Sequence, residues 1–124
     1  MRITLLTNRD LASNFALNLL VPQLSIHHDL HVFCSDRVGG HAAASGLATG
    51  SFYEQTLPIE FLFPLIDTQP NRGELLTFQG LSQFLVAPIS SLNQPNTTGG
   101  LGTLAATEPD LMISVRYGCI LKVD

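Results

Sequence analysis

Short apolar runs alternate with helical spacing along this chain. Ile3 to Thr7 is a short apolar run closed by the turn-forming cluster Asn8-Arg9-Asp10, and it predicts a first strand. Behind Asp10, read as an N-cap, Leu11, Phe15, Leu19 and Leu20 recur at i, i+4 and i+8, which predicts a helix with that apolar face; Pro22 ends or kinks it. Leu30-His31-Val32-Phe33-Cys34, closed by Ser35-Asp36, predicts the second strand. Residues 37–51 are rich in Gly, Ala and Ser without periodicity and read as a mobile loop. Helical spacing resumes from Phe52 to Ile66, in short pieces because of Pro58 and Pro64, and again from Glu74 to Leu85. Leu85 to Ile89 predicts a third strand cut short by Pro88. Ser90 to Gly102 reads as loop, Gly102 to Thr107 as at most a short helix, and Leu111 to Val115 as a fourth strand. Strands alternating with helices predict one domain over 1–124: an α/β, open, mostly parallel, Rossmann-like sheet.

Composition narrows the classes. With 45% hydrophobic and only 13% charged residues, the 124-residue chain can build a core and is not a disordered polymer. A net charge of −4 argues against nucleic acid as a partner. No window reaches the ~18 apolar residues of a membrane span. The first residues resemble a signal peptide only superficially, because Asn8-Arg9-Asp10 interrupts the run. Two cysteines without a Cys-x-x-Cys fit a reducing, cytoplasmic setting. A mean hydropathy of +0.27 is high for a small monomer and points to apolar surface left uncovered.

Candidate chemistry concentrates at the predicted strand ends. The turn after the first strand meets a helix N-terminus, where Arg9, Ser13 and Asn14 are candidates to hold a phosphate or carboxylate. The turn has no glycine, so the dinucleotide fingerprint is missing and Asp36 reads as a turn residue rather than a ribose-binding acid. His27, His28, Asp29 and His31 lie where a loop enters a strand, not on one helix face, and no metal is expected there. Cys34 and Cys119 read as inert thiols, and Gly99-Gly100-Leu101-Gly102 lacks the Lys of a phosphate loop. The richest stretch is Glu108 to Leu121. A strand runs into Arg116-Tyr117-Gly118, where Gly118 is free to take positive φ, Tyr117 offers a stacking face, and the amides of 118–121 can meet a planar heterocycle.

The pattern Pro-Asp-Leu-x-Ile-Ser-x-Arg-Tyr-Gly-x-Ile-Leu resembles the strand forming the folate pocket of 10-formyltetrahydrofolate-dependent formyltransferases. That family includes methionyl-tRNA, glycinamide ribonucleotide and amino-sugar formyltransferases. The opening Met1-to-Asn14 stretch and Leu-His-Val-Phe-Cys-Ser-Asp resemble its first and second strands. The resemblance implies a pocket lined by Tyr117, Gly118, Cys119, Ile120 and Leu121, with backbone groups of Cys119 and Leu121 on the pterin. It also implies 10-formyltetrahydrofolate as co-substrate without a metal, and an amine acceptor near Ser13 and Asn14. In the family an Asn-x-His catalytic segment follows; this chain stops at Lys122-Val123-Asp124, and Asp124 does not match the catalytic Asp. The expectation is a sheet cut after about four strands, silent alone and prone to pair through an exposed sheet edge. The alternatives are a non-catalytic α/β module binding a nucleotide or sugar phosphate, and an assembly subunit.

Overall fold

The structure, a computed structural model, describes residues 1–36, 50, 52–68 and 75–122. Strands β1 (Arg2–Asn8), β2 (Asp29–Ser35), β3 (Ser90–Ser91) and β4 (Leu111–Val115) form one sheet in the order β3-β2-β1-β4, parallel throughout. The helices are α1 (Leu11–Leu24), a widened π-type helix (Phe52–Leu62) running into α2 (Phe63–Asp67), α3 (Phe78–Leu81) with a 3-10 turn (Ser82–Phe84), and α4 (Thr98–Ala106). This is the α/β Rossmann-like open sheet that the alternation of patterns predicts.

Period-two alternation sends side chains to two faces. Ile3 and Leu5 of β1 join Leu30, Val32 and Cys34 of β2 beneath Leu17 and Val21 of α1 and Phe78 and Leu81 of α3. Leu6 and Phe33 face the other way, against Leu92 and Leu104 of α4. The two crossovers β1-α1-β2 and β2-α3-β3 step in one direction and share a face. The return through α4 to β4 covers the opposite face. A buried hydroxyl pair at 2.8 Å, Thr4 to Thr107, fastens the end of α4 to β1.

Several local expectations shift. The buried face of α1 carries Ser13, Asn14, Leu17 and Val21, while Phe15 and Leu19 are 47% and 70% exposed. Pro22 does not end the helix, which runs on to Leu24. The third strand lies not at 85–89 but at Ser90–Ser91, paired to Phe33 and Cys34. The helix expected from Glu74 to Leu85 contracts to α3 and its 3-10 turn, and Glu74 lies outside the described residues. The helix expected after Gly102 starts at Thr98, because the Thr97 hydroxyl accepts from the Gly100 N–H at 3.1 Å and caps it. Pro58 does not break the 52–67 segment, which passes through it into α2. The 37–51 loop lies outside the described residues except Gly50.

Candidate functional site

Because the strands are parallel, their carboxyl ends share one edge. The chain leaves β1 in one direction and returns to β4 from the other, so the switch point of the sheet lies between β1 and β4. In open α/β sheets that crevice is where ligands bind. Asn8-Arg9-Asp10 and Arg116-Tyr117-Gly118 meet there.

Asp10 is the hub. One carboxylate oxygen accepts from the Ser13 backbone N–H at 2.8 Å, the N-cap bond of α1. The other accepts from the Asn8 amide at 2.8 Å and from the Arg116 guanidinium at 3.0 Å. Burial pushes this carboxyl up, but the bonds from Asn8, Ser13 and Arg116 outweigh it and hold it below the usual carboxylate value. The chain's own carboxylate therefore occupies the electropositive start of α1.

Arg9 lies along the neighbouring strand ends. Its guanidinium reaches Ser91 at 3.3 Å and Asp36 at 3.5 Å, and stacks over the Phe78 ring 5.5 Å from the centroid. Asp36 is clasped by Asn93, whose oxygen accepts from the Asp36 backbone N–H at 2.8 Å while its amide donates to the Asp36 carboxylate at 2.7 Å. Gln55 donates to the Asp36 carbonyl.

Beyond β4 the chain turns at Arg116, which adopts a left-handed φ of 56°, a conformation that costs a non-glycine residue about 1 kcal/mol. Residues 116–122 then cross the carboxyl edge of the sheet from the β4 side towards β3. The contacts follow the strand order: Arg116 on Asp10 after β1, and the Gly118 N–H on the Ser35 hydroxyl at 2.8 Å at the end of β2. After β3, Tyr117 donates to the Leu92 carbonyl at 2.6 Å, and the Cys119 thiol lies 3.4 Å from the Asn93 carbonyl. Finally the Asn96 amide donates to the Ile120 carbonyl at 2.7 Å, and its oxygen accepts from the Lys122 N–H at 2.8 Å. The pair of bonds straddles Leu121 as a parallel strand would, so the N–H and C=O of Leu121 itself face the opposite edge. Among the described residues, no hydrogen bond engages the backbone groups of Cys119 or Leu121.

The sequence candidates are thus distributed. Tyr117, Gly118, Cys119, Ile120 and Leu121 lie together on the crossing segment. The Tyr117 ring is half-buried against the second core cluster, with its hydroxyl committed; burial, then the neighbouring Cys119 sulfur, raises its pKa. Arg9 reaches the surface, but Ser13 and Asn14 are buried, and the Asn14 amide donates to the Leu76 carbonyl at 3.0 Å. Burial pushes the Cys34 thiol up to about 12. Sequence reasoning missed Ser35, Asn93 and Asn96, and treated Asp10 only as a cap. The last two lie in a stretch whose Pro and Asn content announced a loop and nothing more. Among the described residues, no group of three or more His, Cys, Asp or Glu is placed to hold a metal ion, and no helix is long and apolar enough to cross a membrane. Compared with known protein families, curated proteins and solved structures, the chain matches none.

Proposed function

We propose that this chain is the folate-pocket half of a formyltransferase-type catalytic domain, which in the complete enzyme moves a formyl group from 10-formyltetrahydrofolate to an amine. One observation carries the reading. The segment resembling the family's pocket lies across the carboxyl edge, with Asn96 bonded to Ile120 and Lys122 on one side and, among the described residues, no hydrogen bond on the Leu121 backbone. A pterin edge carries donors and acceptors side by side, which is what an open strand edge complements. Tyr117, Gly118 and Ile120 shape the segment, while Cys119 and Leu121 supply the edge. Arg9 is the residue best placed to meet an acceptor, with Ser13 and Asn14 behind it. Formyl transfer also needs a donor to polarise the formyl oxygen and a group to take protons from the amine. No Asn-x-His occurs among these 124 residues, so the reading assigns them the folate-binding part of the reaction. We place it in the cytoplasm, where its buried free thiol stays reduced.

The test is calorimetric titration with 5-formyltetrahydrofolate, a stable analogue of the co-substrate. Saturable binding with no formyl transfer above background is expected. No heat with the folate, alongside binding of a nucleotide or sugar phosphate, sinks the reading in favour of a phosphate-binding module. The buried Ser13 and Asn14 and the resident Asp10 carboxylate speak against that module. We also propose that copies pair through the exposed β4 edge.

A further inference from the structure

We propose that Asn96 is the positioning residue of the 118–122 segment, holding the open edge of Leu121 towards a planar, hydrogen-bonding ligand; the ligand's identity as a pterin rests on the function proposed above.

The carboxamide of Asn96 replaces a strand. A backbone in that place would need its own ladder, whereas one side chain supplies a donor to Ile120 and an acceptor to Lys122 at 2.7 and 2.8 Å. Its base is rigid. The Thr97 hydroxyl donates to the Gln94 carbonyl at 2.9 Å and accepts from the Gly100 N–H. Gly100 sits so close to that carbonyl that a Cβ there would lie 2.0 Å from the oxygen. Residues 94–97 are therefore a tight turn leading into α4, and Asn96 projects the rigidity of that turn onto an otherwise exposed segment. Ile120 is 84% exposed, so apolar burial does not fix the segment's rotation. Without the carboxamide the segment can turn about its axis and lose the alignment of the Leu121 edge.

The experiment compares the wild-type chain with Asn96→Ala. It reads affinity for 5-formyltetrahydrofolate and for a bare pterin lacking the glutamate tail, together with amide hydrogen exchange. Loss of two exposed hydrogen bonds raises both dissociation constants by the same factor, roughly fivefold to tenfold. Exchange at Lys122 accelerates, while β1 and β2 amides keep their protection. Unchanged affinity in the variant overturns the proposal. So does an affinity loss accompanied by fast exchange through the core, which marks a structural residue. If the wild-type chain binds neither ligand, the folate reading falls by itself. The positioning role then stands on exchange alone: acceleration confined to 118–122 supports it, and unaltered exchange at Lys122 overturns it.

Discussion

Asp10 shows how one residue links folding to the site. It caps α1, orders the Asn8 amide and anchors Arg116, so the strand ends depend on its charge. Its lowered pKa makes acid stability a readout. A carboxyl titrating below its unfolded value of 3.8 contributes stability that is fully present above that value and is lost as pH falls through the folded pKa. In urea melts from pH 5 downward, Asp10→Asn is expected to be less stable than wild type at pH 5, by about 1 kcal/mol. Its deficit should shrink towards pH 2. A constant deficit across that range would mean that the carboxylate charge is not involved. Asp110, held low mainly by the Arg2 backbone N–H, leaves part of the acid slope in the variant. The N-cap role of Asp10 was legible because Asp before an apolar-periodic run has a local meaning. The Arg116 contact was not, since it joins residues 106 positions apart.

At the scale of elements, continuity of apolar residues located β1, β2 and β4, because strands buried in a parallel sheet need little polar interruption. It failed at β3. Two serines carry no hydrophobic signal, and the apolar residues at 85–89 feed the core from an irregular segment instead. In α1 the leucines occur nearly all round the helix, so spacing alone selected Leu11, Phe15, Leu19 and Leu20. Tertiary packing selected the stripe through Leu17 and Val21, which brings Asn14 and Asn18 against Leu76. This reversal predicts that Leu17→Ala costs about 3 kcal/mol in chemical denaturation. Leu19→Ala costs less than about 0.5 kcal/mol. Equal losses at the two positions would contradict the observed face. The location of the candidate site was legible at this scale, because the turn after β4 contains the Arg-Tyr-Gly sequence. Its bracing was not, because side-chain amides that imitate a strand leave no periodic trace.

At the scale of the molecule, the described residues leave the β4 edge of the sheet thinly covered. Among the described residues β4 pairs only with β1, and Leu111 and Met112 are 45% and 38% exposed. An open edge with apolar side chains favours strand addition. Sedimentation velocity is therefore expected to show a concentration-dependent dimer, and Met112→Lys, placing a charge on that edge, should shift it to monomer. A single species at all concentrations in the wild-type chain would remove the edge as an association surface.

The pairing of β1 with β4 has a kinetic consequence as well. Ile3 lies beside Leu111, so β1 gains its second neighbour only when a strand far along the chain arrives. Loop closure over such a span is slow relative to forming the local β1-α1-β2 unit. The amino-terminal crossover therefore folds early with one flank of β1 bare, and β4 docks late. Because residues 116–122 reach the carboxyl edge only after β4 has docked, the candidate site forms later than the amino-terminal crossover. A ligand that binds there acts as a clasp, slowing unfolding far more than it speeds folding.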